Sequence, residues 1–250
     1  MRTRTLIAGA VLVLALPVVV WTVPARAAAD QLPNLRMAPL TDLRIDKTPD
    51  GRRLLRFSMT IVNVGTGAFE VHATRADSTA TTWTVAQRVH DNAGGFRDVS
   101  APTQLVFGGD GHNHWHIRDL ESAELIRLDN GVKVGTSAKR GFCFWDNVAF
   151  RTSLPGAPSN FVYGPAGCGT VASTQVDMGL SVGWGDEYPA TLPDQNIDIT
   201  GLTPGRYRLQ VTADTGGNFV ESNETDNVTW LDLQIKPNGQ PHIVGQGPSA

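Results

Sequence analysis

Leu54-Leu55-Arg56-Phe57-Ser58-Met59-Thr60-Ile61-Val62-Asn63-Val64 sets Leu55, Phe57, Met59 and Ile61 at every second position. Side chains alternate between the two faces of an extended chain, so these four share one face and read as a strand laid over a core. The turn-forming runs Pro49-Asp50-Gly51 and Gly65-Thr66-Gly67 bound it. With Leu43-Arg44-Ile45-Asp46 just before, the segment reads as an antiparallel hairpin. Further β-rich runs follow at 69–73, 81–90 and 104–107, and 120–128 reads as a strand or short helix. The turn Asp129-Asn130-Gly131 leads into 132–134. The last third holds Ile197-Asp198-Ile199, the turn Leu202-Thr203-Pro204-Gly205, and strands at 207–211 and 228–235. Short strands at this spacing predict an all-β chain, an antiparallel β-sandwich core with long irregular loops and little helix.

Residues 1–27 read as an address. Arg2 and Arg4 precede an uncharged run from Leu6 to Val23, and Ala25-Arg26-Ala27 supplies an Ala-x-Ala cleavage site, the pattern of a secretory signal peptide. The expected organisation is this signal, one domain over 28–236, and a loose tail over 237–250. Cleavage would remove three arginines and no acid, taking the formal charge from −3 to −6. An acidic chain of this kind offers no basic face for nucleic acid or anionic lipid. No second apolar run approaches spanning length, so the mature protein is expected outside the membrane in the secreted space. The two cysteines, Cys143 and Cys168, most simply form one disulfide in an exported chain. It would tie back a Pro-, Gly-, Ser- and Asn-rich surface loop over 152–169.

The chemistry points to His112-Asn113-His114-Trp115-His116, which holds half of the chain's six histidines at every second position. On a strand, that spacing turns three imidazoles to one face, with the outer two roughly 13 Å apart at the backbone. To share one ion the segment must bend, and the preceding Gly108 and Gly109 permit it. Three neutral imidazoles suit copper, zinc, iron or nickel. The same pattern also fits a histidine-rich strand edge with no metal.

The order of motifs resembles the lysyl oxidase family over most of the mature chain. The resemblance runs from Leu54-Leu55-Arg56-Phe57-Ser58 and Asn63-x-Gly65 through His112-x-His114-aromatic-His116 to Lys139-x-x-Phe142-Cys143. It continues through Gly179-Leu180-Ser181-x-Gly183, Asp186-Glu187-Tyr188, Ile197-Asp198-Ile199-Thr200 and Pro204-Gly205-x-Tyr207 to Glu221-Ser222-Asn223-x-Thr225-Asp226-Asn227. It implies a copper-dependent amine oxidase with copper on His112, His114 and His116, and lysine tyrosylquinone built from Lys139 and Tyr188. Such an enzyme converts primary amines, peptidyl lysine among them, to aldehydes with dioxygen, releasing ammonia and hydrogen peroxide. Without the family, Lys139 reads as a solvated strand-end cation and Tyr188 as a loop aromatic ahead of Pro189. The topaquinone amine oxidases modify a tyrosine preceded by Asn, and none of Tyr163, Tyr188 and Tyr207 has Asn before it.

Two features depart from the family. Animal members carry a further histidine where this chain has Ala123, and they use several disulfides where this chain can form one. Among Asp119, Glu121, Glu124 and Asp186, the expected base is Asp186, for its nearness in sequence to Tyr188; the other three read as surface carboxylates. The resemblance also implies calcium on Glu221, Asn223, Asp226 and Asn227, with Asn34 and the backbone of Leu35. Hard oxygen donors suit that ion, yet the same cluster makes an ordinary turn without one. The competing readings are a metal enzyme without a quinone and an adhesion-type extracellular β-sandwich without quinone catalysis.

Overall fold

The computed structural model describes residues 28–108, 113–139 and 141–248. The proposed signal peptide and His112 therefore lie outside the described residues. Among those residues the chain is all-β, with no α-helix and a single 3-10 turn at Pro165–Cys168. Four antiparallel sheets pack around one core, to which every sheet contributes.

The opening hairpin forms as its alternation predicts. Arg53–Asn63 pairs antiparallel with Thr41–Lys47, and Leu55, Phe57, Met59 and Ile61 are at most 1% exposed. Burying each such side chain contributes about 1.5–3 kcal/mol, enough to fix which face turns inward. This strand is the hub of its sheet, because Leu35–Met37, Trp184–Tyr188 and Asn196–Asp198 also pair with it. Its far end is secured by Asn63, whose amide nitrogen donates to Gly67 and Leu180 carbonyls at 2.9 and 3.1 Å. The amide oxygen of Asn63 accepts from Asn34 N and Gly65 N.

A second sheet joins Asp30–Gln31, Thr84–Asp91, Phe69–Thr74 and Gln175–Leu180, with Phe96–Ser100 on Thr84–Asp91. A third runs Gly141–Phe142, Trp115–Arg118, Leu105–Phe107. The fourth runs Lys133–Thr136, Glu121–Arg127, Gly205–Ala213, Val228–Ile235, His242–Gln246. Residues 120–128 thus resolve to a strand, since Glu121, Ala123 and Leu125 alternate inward.

Two expectations are corrected. The tail is not loose: His242–Gln246 adds an edge strand to Val228–Ile235, and Gln240 exchanges two hydrogen bonds with the Ile45 backbone. Its attachment is through main chain, with Ile243 and Val244 exposed, so no apolar alternation announces it. Tyr188 closes a strand rather than sitting in a loop. The run at 197–199 joins the Arg53–Asn63 hub through Asn196–Asp198.

Candidate active site

The strand Trp184–Tyr188 is launched by Gly183, whose φ of +75° and close approach to the Arg151 carbonyl leave no room for a side chain. Register then sets Asp186 opposite Ile61 and Tyr188 opposite Met59, so both point along the core-facing side of the hub strand. Asp186 is 0% exposed and Tyr188 is 5% exposed. The Tyr188 hydroxyl donates to the Cys143 carbonyl, and Asp186 Oδ1 accepts from Asn147 Nδ2. The ring of Phe142 meets Tyr188 edge-on at 4.9 Å. Cys143 is bonded to Cys168, so the disulfide expected from sequence anchors the segment that receives the tyrosine hydroxyl.

Lys139 reaches the same point from the other side. The chain before it is held to the Glu121–Arg127 strand by Ser137 N donating to the Ala123 carbonyl at 2.8 Å, and to the hub sheet by Ala138 N donating to Asn196 O. Lys139 is 6% exposed, and its Nζ lies 5.1 Å from the centre of the Tyr188 ring and 5.3 Å from that of Phe142. The structure therefore brings the lysine and tyrosine of the resemblance together, 49 positions apart in sequence though they are.

The described histidines stand beside them. Trp115 turns inward against Trp83 at 4.8 Å and donates its indole N–H to Thr170 O, which fixes the phase of Trp115–Arg118. His116 then falls on the opposite side, 3% exposed, over Gly141, where a Cβ would lie 2.7 Å from its own. The chain bends at His114, and the His114 and His116 rings approach to 4.6 Å between centres. Two converging imidazoles are a donor set that suits a borderline cation such as copper. His114, Trp145, Asn147, Asp186, Tyr188 and Leu192 line one cleft of about 660 Å³, a size that accommodates a small organic substrate.

Burial dominates the electrostatics. It raises the Asp186 carboxyl well above the ordinary range, opposed by the Tyr188 hydroxyl and the Lys139 charge. Burial likewise raises the Tyr188 phenol, helped by the neighbouring carboxylates Asp186 and Glu121. Glu121 is the residue sequence reasoning misplaced. It was expected at the surface and is 3% exposed, because it occupies the first inward position of its strand. Burial raises its pKa well above normal, the Asp186 charge adds to this, and the Lys139 charge opposes it. The inward phase of Ala123 and Leu125 carried the signal that could have found it. Asp119 is exposed, and Glu124 pairs with Lys133 at 2.8 Å.

The candidate calcium donors also gather, with one exception. Asn34 Nδ2 donates to Asp226 Oδ2 at 3.3 Å, Asn227 Nδ2 donates to Glu221 Oε1 at 2.8 Å, and Leu35 N donates to Glu221 Oε2. Asn34 Oδ1, Asp226 Oδ1 and Asn227 Oδ1 are buried oxygens with no hydrogen-bond donor. Unsatisfied buried oxygens fit a hard cation. Asn223 stays exposed, its oxygen taken by Thr225 N and Oγ1. Burial lifts the Glu221 pKa to about 8 against the hydrogen bonds from Leu35 and Asn227. Asp214 and Glu224 close on Glu221 to complete an acidic trio.

The lysyl oxidase family model matches residues 92–243, which takes in the histidines, Lys139, Tyr188 and the acidic cluster. The chain belongs to the lysyl oxidase family. It is 29% identical over 177 residues to human lysyl oxidase homolog 3, covering 70% of this chain and 18% of that protein. It is 31% identical over 123 residues to human lysyl oxidase homolog 1, covering 49% of this chain and 19% of that protein. Lysyl oxidase homolog 2B of Danio rerio is 26% identical over 157 residues, covering 62% and 19%. This lysyl oxidase family chain thus spans under a fifth of the length of the curated relatives it matches.

Proposed function

We propose that the protein is a secreted copper-dependent amine oxidase whose organic cofactor is made from its own Lys139 and Tyr188. The observation that carries this reading is the approach of Lys139 Nζ to 5.1 Å from the Tyr188 ring centre, both buried, with Tyr188 on the wall of the 660 Å³ cleft that His114 also lines. A surface lysine and a structural tyrosine would have no reason to meet there, since burying an ammonium costs several kcal/mol unless its surroundings offset it. Copper would be held by His112, His114 and His116, and calcium by Glu221, Asp226, Asn227 and Asn34.

When assembled, lysine tyrosylquinone supplies the electrophilic carbonyl that turns a primary amine into an aldehyde, with dioxygen as final acceptor. The residues of the chain do the rest. The cleft that would take the amine is lined by Trp145, Leu192 and Asp186, whose Oδ2 has no hydrogen-bond donor. Burial raises the Asp186 pKa, which makes its ionised form a stronger proton acceptor. Asn147 holds the other oxygen and also receives Glu187 N, so the carboxyl is fixed in direction. Glu187, on the cleft lining, favours a cationic amine, peptidyl lysine among them. Among the described residues no helix is long and apolar enough to cross a membrane.

The test is the intact mass of the copper-loaded, aerated protein with peptide mapping around Lys139 and Tyr188. A crosslinked peptide containing both, absent in His114→Ala, is the expected result. Unmodified peptides despite bound copper and oxygen would overturn the reading.

A further inference from the structure

Glu121 is the group the proposed chemistry leaves without a task. It shares its inward face with Ala123 and Leu125. Both of its carboxylate oxygens are buried and neither has a hydrogen-bond partner. A buried carboxyl kept for stability is normally satisfied by donors, and leaving it bare costs about 1–3 kcal/mol or more.

Its surroundings say what it faces. Glu121 lines a cavity of about 180 Å³ together with Lys139, Ala123 and Ser137. This cavity is distinct from the larger cleft, which takes in Asp186 and Tyr188 but neither Glu121 nor Lys139. The tyrosine lines the larger cleft with Asp186, and the lysine lines the smaller cavity with Glu121. The charged and titratable groups around Glu121 are Lys139 and Asp186, which act on it directly; Tyr188, on which it acts; and Asp119, Glu124 and Lys133 at the cavity wall. Glu124 is engaged by Lys133, and Asp119 is exposed. Ala123 offers no titratable group. A cavity of this size holds several waters, at about 30 Å³ each, and water can relay a proton between Lys139 and Glu121, which are not hydrogen-bonded to each other.

We propose that Glu121 accepts the proton that Lys139 must release as its nitrogen bonds to the Tyr188 ring, so that the two buried carboxyls divide the work: Glu121 serves assembly and Asp186 serves turnover. This rests on the Lys139–Tyr188 crosslink of the proposed function. In the step, dioxygen has first oxidised the Tyr188 ring. Lys139 Nζ gives one ammonium proton to Glu121 and its freed lone pair forms the N–C bond to a ring carbon; that carbon's C–H bond breaks, its electron pair stays in the ring as the quinone is reduced by two electrons, and the C–H proton and one N–H proton pass to the two ring oxygens. A further dioxygen removes two electrons and two protons, giving hydrogen peroxide and returning the ring to its oxidised level. Glu121 returns its proton to the water of the small cavity.

The experiment follows crosslink formation by intact mass after copper is added to the full chain in air, in wild type, Glu121→Gln and Glu121→Asp. A positioned base contributes typically 10²–10⁴-fold, and cavity water replaces part of it. The expected result is crosslinking slowed about tenfold or more in Glu121→Gln, at equal copper content and unchanged melting temperature, with partial recovery in Glu121→Asp. Wild-type crosslinking rates in both variants would overturn the proposal while leaving the crosslink itself intact. A wild type that forms no crosslink would instead overturn the function on which it rests, and the proposal with it. If Glu121→Gln does not fold, the Glu121→Asp rate decides: a rate equal to wild type despite the shortened reach refutes the role, and a slowed rate at equal copper content supports it.

Discussion

Replacing Asp146 by alanine should destabilise the protein by about 3–5 kcal/mol. Asp146 is 4% exposed and accepts four hydrogen bonds: Val162 N at 2.8 Å, Tyr163 N at 3.2 Å, Ser181 N at 2.7 Å and Ser181 Oγ at 2.7 Å. The Ser181 hydroxyl can rotate to another partner, but the three backbone donors cannot. Each buried donor left unmade costs about 1–3 kcal/mol, and the lower part of that range applies because water can enter the space the carboxylate vacates. The loss is a large share of the roughly 5–15 kcal/mol that holds a domain together. Asp146→Asn keeps an acceptor for most of these donors and sets its amide nitrogen against Ser181 N, so about 1–2 kcal/mol is expected. Urea unfolding with the disulfide intact measures both, and proteolysis within residues 150–164 should quicken in the same order. A loss below about 1 kcal/mol in the alanine variant, or an asparagine variant worse than alanine, would refute the reasoning.

Acid should weaken the protein partly through Glu70. Burial raises its pKa, but hydrogen bonds from His72, Tyr163 and His90 outweigh this and bring it from 4.5 to about 2. A depressed carboxylate stabilises above the unfolded value and loses that contribution as pH falls from 4.5 towards 2. At 1.36 kcal/mol per pH unit the full effect is about 3 kcal/mol, discounted to about 1–2 because solvent reaches the group. Melting temperature should thus fall more steeply between pH 5 and 3 in wild type than in Glu70→Gln, and parallel curves would count against it. Calcium should raise the melting temperature, and more at pH 8.5 than at pH 6.5, because Glu221 with a pKa of about 8 must release its proton to bind the ion; an unchanged transition in calcium and in chelator would remove the ion from the account. Tyr207→Phe should cost about 1 kcal/mol in urea unfolding, through loss of its bonds to Thr203 O and Arg127 Nη1, with no change in copper content.

The central strand, its hairpin and the last two long strands were legible because apolar alternation and turn residues agree there, as in Leu55 to Ile61 and the Val228–Ile235 strand. The strand carrying Asp186 and Tyr188 was not. Trp184-Gly185-Asp186-Glu187-Tyr188 holds one glycine and two acids, and it is a strand because tertiary pairing with Val62 to Met59 overrides weak local preference. The edge strand Phe96–Ser100 has no buried residue and no alternation to read. In the site, the histidines and the disulfide pair showed in spacing and count. Lys139 and Tyr188 were meaningful only through family resemblance, because their meeting depends on two sheets that sequence cannot set side by side.

The charge inventory around that meeting point argues for chemistry rather than support. Among the described residues, the Lys139 ammonium acts on two buried carboxyls, Asp186 and Glu121, and Asp146 adds a third acid to the field of Asp186; Lys139, Asp186 and Glu121 are at most 6% exposed. A single cation can offset one ionised acid at this depth; both acids have their pKa values pushed up, and each retains at least one oxygen without a donor. Three well-packed apolar side chains would hold the fold at lower cost. A tyrosine that is to be joined to a lysine, however, needs somewhere for protons to go on both sides of the new bond: on the cleft side during substrate turnover, and on the lysine side while the bond is made. The two cavities, one lined by Asp186 and the other by Glu121, supply those two destinations.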